Sequence, residues 1–100
     1  MIAKIHNKNG LIQAFIEWRQ VGQSGFDKFR GEYIWINDLW MHESLKNSWE
    51  TYRDLMNQVL FKAMDGQWVY FQREKYGGRI SKLYSRSRIM NLLSREMVGV

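Results

Sequence analysis

Arg73, Lys75, Arg79, Lys82, Arg86 and Arg88 follow one another two to four residues apart, with Phe71 and Tyr84 in the same stretch. Side chains of these two kinds do complementary work on a nucleic acid. Ammonium and guanidinium groups displace counterions from phosphates, the main sequence-independent source of such affinity. Aromatic rings stack on unpaired bases. The charge bias is confined to one end of the chain. Residues 1–66 hold eight Lys/Arg against eight Asp/Glu, and residues 67–100 hold seven against two, so the whole formal charge of +5 lies in the last third. An excess placed this way argues for an anionic partner, either DNA or RNA or an acidic protein surface, against the plainer reading of a solvated basic face.

Gly77-Gly78 stands between two β-prone runs, Trp68 to Tyr76 and Arg79 to Ser85, and suits a two-residue hairpin turn. With Tyr76 opposite Arg79, Phe71 faces Tyr84, Arg73 faces Lys82 and Val69 faces Arg86. One side of that ribbon shows Phe71, Arg73, Lys75, Lys82, Tyr84 and Arg86. The other, with Trp68, Tyr70, Tyr76 and Leu83, turns to the core. Arg73 directly across from Lys82 is a like-charge pair costing up to ~1 kcal/mol. An anion over the pair would relieve that repulsion, which makes the ribbon the expected site, extended by Arg86 and Arg88.

Trp35 and Trp40 point to a second chemistry. Trp, Tyr and Arg are the usual energetic anchors of protein interfaces, and so small a core cannot take in all of five Trp, five Tyr and five Phe. These two tryptophans are the candidate anchors of a protein-binding inhibitor or adaptor docking on an acidic surface of an enzyme. Packing of Trp40 under a neighbouring loop is the simpler alternative. Catalysis has less to stand on. His6 and His42 are the two histidines, and His42-Glu43-Ser44-Leu45-Lys46 has lysine where a zinc helix needs its second histidine. A small ribonuclease-type toxin would unite His42 or His6 with Arg73 and Tyr84 as acid, base and phosphate clamp, but no spacing joins them. The chain reads as a non-enzyme with no metal or other cofactor.

Positioning these groups falls to 100 residues, the length of one domain spanning 1–100. An apolar share of 45% is ample for a core. Absence of cysteine excludes disulfides, thiolate zinc sites and cysteine nucleophiles, and favours an intracellular setting. The apolar runs are too short for a membrane span or a secretory leader. A cytoplasmic monomer or homodimer with no membrane partner is expected.

The organising element in the sequence is Asp38 to Met64. Leu45, Trp49, Tyr52, Met56, Val59 and Ala63 recur at helical spacing, and Leu55, Leu60, Phe61 and Met64 widen the stripe. Asn37 or Asp38 would cap the start, with a restart at Asn47-Ser48 as the alternative. Gly66 would end the helix in the left-handed conformation. Leu11 to Val21 fits a helix through Leu11, Ile12, Phe15 and Trp18, or a strand through Ile12, Ala14, Ile16 and Trp18; the helix is the expected form. Glu32 to Ile36 is a short strand, and a last helix runs over 88–97 from a Ser87 cap. The expected fold class is α+β: a long central amphipathic helix with one or two shorter helices and a C-terminal antiparallel β-hairpin. The expected function is a small basic binding protein of the accessory or regulatory kind that phages and mobile elements encode, contacting nucleic acid or a nucleoprotein complex.

Overall fold

A computed structural model describes residues 1–46, 48–75 and 78–95, with the backbone alone at 73–75, 79 and 80. In chain order the elements are β1 (Ile2–His6), β2 (Ile12–Val21), β3 (Tyr33–Met41), a 3₁₀ turn (Glu43–Leu45), α1 (Trp49–Lys62), β4 (Trp68–Lys75), β5 (Gly78–Ser85) and α2 (Arg86–Ser94). The strands form one five-stranded sheet in the order β1-β2-β3-β4-β5. Neighbours are antiparallel except β3 and β4, which run parallel because α1 carries the chain back between them.

The expected α+β fold built on a helix from Asp38 to Met64, with a C-terminal hairpin packed against it, is overturned: the molecule is mostly sheet. The apolar stripe is helical only from Trp49, where Ser48 accepts a hydrogen bond from the Thr51 N–H at 3.3 Å and caps α1. Asn37 and Asp38 are not caps. They belong to β3, and so does Trp40. A bulge hid this strand from view. Glu17 pairs with Asp38 but Trp18 with Ile36, so Asn37 is the extra residue that breaks the period-2 alternation. Asn47, the other residue weighed as a cap, lies outside the described residues.

Leu11 to Val21 forms no helix either. Ala14, Ile16 and Trp18 are buried on one side of β2, and pairing with β1 and β3 satisfies its backbone on both edges. Helical and strand periods both fitted this sequence; neighbouring strands decided between them. The β1–β2 connection follows its local chemistry. Asn7 Oδ1 accepts from the N–H groups of Asn9 and Leu11 at 2.9 and 3.0 Å, and Gly10 takes a φ of 79° that side chains avoid.

Both helices cover one face of the sheet. From the strands this face buries Ala3, Ala14, Ile16, Trp18, Ile34, Ile36 and Val69, and from the helices Leu55, Met56, Val59, Leu60, Ile89 and Leu93, joined by Ala63 at the α1 C-cap. Each fully buried Val, Leu or Ile contributes about 1.5–3 kcal/mol. Helix α2 begins at Arg86, capped by Ser85 rather than Ser87, whose expected role is taken because the Ser85 Oγ accepts from the Arg88 N–H at 3.2 Å. The helix ends at Ser94 with Arg95 as its extended C-cap, short of the expected 88–97, of which positions 96 and 97 lie outside the described residues. Among the described residues no helix is long and apolar enough to cross a membrane.

Gly66 is glycine for a reason other than the expected left-handed helix end. Its φ is not positive, but an added Cβ would run into Cγ1 and Cδ1 of Ile34. Ile34 is fully buried and has nowhere to go. Gly66→Ala should therefore destabilise the protein by about 1–3 kcal/mol through overpacking, read from urea denaturation. An unchanged midpoint would show that the crossover does not press on the sheet here.

Candidate functional site

The β4–β5 ladder is offset by two residues from the expected register. Val69 pairs with Tyr84, Phe71 with Lys82, Arg73 with Ile80, Glu74 with Arg79 and Lys75 with Gly78. Tyr76 and Gly77 lie outside the described residues. Arg73 and Lys82 are thus not opposite each other, and the repulsion that singled out the ribbon does not arise. A shift of two keeps Phe71 and Tyr84 on one side, but it is the side that was expected to face solvent that faces the helices. Val69 is buried in the core, while Phe71 and Tyr84 pack at its margin in edge contact, ring centroids 6.0 Å apart. Trp68, Tyr70 and Leu83, expected in the core, lie on the opposite face.

Among the described residues no helix packs on that opposite face, and it gathers residues the sequence had scattered. Alternation through the parallel register places Tyr33 beside Trp68 and Trp35 beside Tyr70. The Trp35 and Tyr70 rings meet edge-on at 5.0 Å, and the Arg19 guanidinium lies 4.8 Å from the Trp35 ring centroid. Arg19 is also held by Asp27 at 3.3 Å. The Asn37 bulge reverses the alternation of β3, so Trp40 reaches the same face as Trp35 and stacks on Phe15 at 5.9 Å. Trp68 is 40% exposed, Trp40 42% and Leu83 52%. Beside them Tyr70 donates to Ser81 Oγ at 3.0 Å, and Gln72 Nε2 donates to the Tyr70 oxygen at 3.2 Å. Glu17 and Asp38, paired in register, add acidic groups on the β2–β3 side. Sequence reasoning missed this face because it sent Trp68 and Tyr70 inward. The usable signal was the purely aliphatic set Ile34, Ile36 and Val69 on alternate positions, since Trp and Tyr keep a polar atom to satisfy at a wet surface.

The sequence-derived cations divide into different situations. Lys82 and Arg88 are exposed, with Arg88 lying 5.3 Å from the Tyr84 ring centroid. Arg73, Lys75 and Arg79 occupy the distal halves of β4 and β5. Arg86 does something else. Its Nη1 donates to the carbonyls of Ala63 and Gly66 at 2.9 and 3.1 Å, and its Nη2 to that of Leu60 at 2.8 Å. A cation fills the C-terminal end of α1 and satisfies carbonyls that the helix leaves open. Those donors are already engaged and cannot serve a phosphate.

Of the two histidines, His6 is far from this border. His6 is on β1, four strand steps or about 19 Å across the sheet from Tyr84. His42 closes the 3₁₀ turn by accepting from the Ser44 N–H at 3.1 Å through Nδ1. A further exposed pair was not anticipated: Phe26 and Phe29, 78% and 89% exposed, on the β2–β3 loop. At the helix side of the sheet, burial pushes the Tyr52 phenol above its ordinary value of 10.0, and Tyr84 nearby raises it further.

No protein-family model matches the chain, and no curated protein matches its sequence.

Replacing Arg86 by Met leaves the carbonyls of Leu60 and Gly66 without the guanidinium, and that of Ala63 with the Gly66 N–H alone. It should cost about 2–3 kcal/mol of unfolding free energy, with Arg86→Lys recovering part of it. Equal stability of the wild type and the Met variant would contradict the clamp. For Tyr52, the unfolded phenol ionises near 10.0 and the folded one later, so the folded state keeps its full advantage below pH 10 and loses it as pH rises through the raised folded value. Stability measured on either side of that pH should fall less steeply in Tyr52→Phe than in the wild type. Parallel slopes would argue against it.

Proposed function

We propose that the protein is a non-enzymatic binder of nucleic acid, with an accessory or regulatory role in the cytoplasm, acting as a monomer or homodimer. One observation carries this reading. The segment that holds the whole net charge, 67–100, supplies the β4–β5 border of the sheet and the first turn of α2. Arg73, Lys75, Arg79, Lys82 and Arg88 therefore sit on neighbouring elements, β4, β5 and the start of α2, at one border of the sheet. A row of cations at a sheet border tracks a phosphate backbone without needing a groove of fixed shape. Arg86 is left out of the set because its donors are used within the fold.

An acidic protein surface is the alternative partner. It is favoured by Trp40, which stacks on Phe15 on the sheet face away from the helices while remaining 42% exposed, as an interface anchor would.

Titration of the purified protein with DNA and RNA at low and high salt tests the proposal. Binding should be micromolar or tighter and weaken steeply with salt. The double variant Arg73→Glu, Lys82→Glu should bind less well, its slope of log affinity against log salt smaller by about one for each phosphate no longer neutralised. Undiminished affinity and salt dependence in that variant would overturn the nucleic-acid reading, and a complex that survives nuclease treatment and depends on Trp40 would replace it.

A further inference from the structure

We infer that the sugar–phosphate backbone of a nucleic acid lies across the helix side of this border, in a corner shared by Arg53 of α1, Lys82 of β5 and Arg88 of α2, and is held there without its bases being read. This rests on the nucleic-acid reading above. It adds to that reading the surface, one cation from the electrically balanced part of the chain, and the mode of recognition.

Register sorts the charges of the β4–β5 ribbon between the two faces of the sheet. Tyr84 pairs with Val69, which is buried in the core, and Lys82 pairs with Phe71 two steps further along, so Lys82 is on the helix side. The backbone of β4 continues that row through positions 73 and 75. Position 74, the one acidic residue of the two strands, falls in the alternate row, across from 79. Helix α2 adds Arg88, whose guanidinium lies 5.3 Å from the Tyr84 ring centroid, and residues 86–94 include no Asp or Glu.

Helix α1 brings the third cation. Tyr52 lies toward β5, close enough for Tyr84 to affect its ionisation. Successive residues of a helix are turned by about 100°. Gln58 is thus about 120° from Tyr52 in one direction, and its Nε2 reaches the Lys4 carbonyl of β1 at 3.3 Å. Arg53 is about 100° from Tyr52 in the other direction, away from β1 and so toward the β5 border. Glu50 and Asp54 are each about 160° from Tyr52, exposed on the outer side of the helix.

Among the described residues Arg53, Lys82 and Arg88 form no ion pair, whereas Arg19 is paired with Asp27 and Arg30 with Asp65. Three unpaired cations from three elements, with the acidic groups of those elements turned elsewhere, select an anion. The wall behind them is aromatic: Trp49 and Tyr52 have ring centroids 5.7 Å apart, and Phe71 and Tyr84 6.0 Å. Such a wall lowers the local dielectric and strengthens the attraction of a cation for a phosphate. These four rings are packed against the core, so they are committed to the fold rather than offered to bases. The exposed rings Phe26, Phe29, Trp40, Phe61 and Trp68 stand on other surfaces. Phosphate contacts position a nucleic acid, and base contacts specify its sequence. The corner therefore binds with no sequence preference.

The experiment titrates A·T-rich and G·C-rich DNA duplexes of equal length at a series of salt concentrations. The wild type should bind the two within about threefold of each other, since reading even one base pair would separate them by about fivefold or more. Arg53→Gln should weaken binding about eightfold at roughly 0.1 M salt and reduce the slope of log affinity against log salt by about 0.9. Arg88→Glu should weaken it further, and the fold tolerates the change because it completes a capping box with Ser85. Lys4→Glu reverses a charge on the sheet face away from the helices, beyond the screening length, and should leave binding unchanged. Unaltered affinity in both corner variants, or a loss in Lys4→Glu as large as theirs, would overturn the inference and leave the broader nucleic-acid reading standing. A preference of about tenfold for one duplex would do the same. Failure to bind either duplex or oligo-U at low salt would remove both.

Discussion

Four residue pairs join β3 to β4: Tyr33 with Trp68, Ile34 with Val69, Trp35 with Tyr70 and Ile36 with Phe71. This short parallel seam unites the antiparallel β1–β2–β3 and β4–β5 halves into one sheet. Parallel strands need a crossover, and α1 supplies it, burying Leu55, Met56, Val59 and Leu60 on the way. The entry to the seam is pinned by Glu32, whose carbonyl accepts from the N–H groups of Gln67 and Trp68 at 2.7 and 3.0 Å. Because strand residues alternate, the same pairs serve two ends. Ile34, Ile36 and Val69 go to the core with Phe71 at its margin, while Tyr33, Trp35, Trp68 and Tyr70 go to the face away from the helices. A slip of one residue at the seam would exchange the two sets, exposing the aliphatic core and burying the rings. Core packing therefore fixes the candidate site in place.

How far these features could be read from the sequence depended on how local their causes are. The inner stripe of α1 was legible from spacing, because helical neighbours recur within a few residues. Asn9-Gly10 is a local turn signal of the same kind, and the β1–β2 connection turns there. β2 was not, since its residues satisfy both a helical and a strand period and the choice came from β1 and β3 on either side. β3 was concealed by one inserted residue, Asn37, after which the inward and outward positions trade places. In the candidate site, the charge excess of the last third was plain from composition. The facing of Trp68 and Tyr70 was not, because it is set by Val69 entering a core built from residues distant in sequence. Arg86 resembled its basic neighbours in sequence, and only the approach of the α1 C-terminus gives it a different use.

Arg86 also governs the order in which the molecule can be completed during synthesis. The carbonyls of Leu60, Ala63 and Gly66 are translated well before the side chain that satisfies them. Until residue 86 is available, the carbonyls of Leu60 and Gly66 lack their side-chain donor and β4 has no outer neighbour. Closure of the helix and docking of the last strand then arrive together with the segment that carries the positive charge. A polyanion that engages this segment as it emerges would meet the fold at the moment its final clasp is being set.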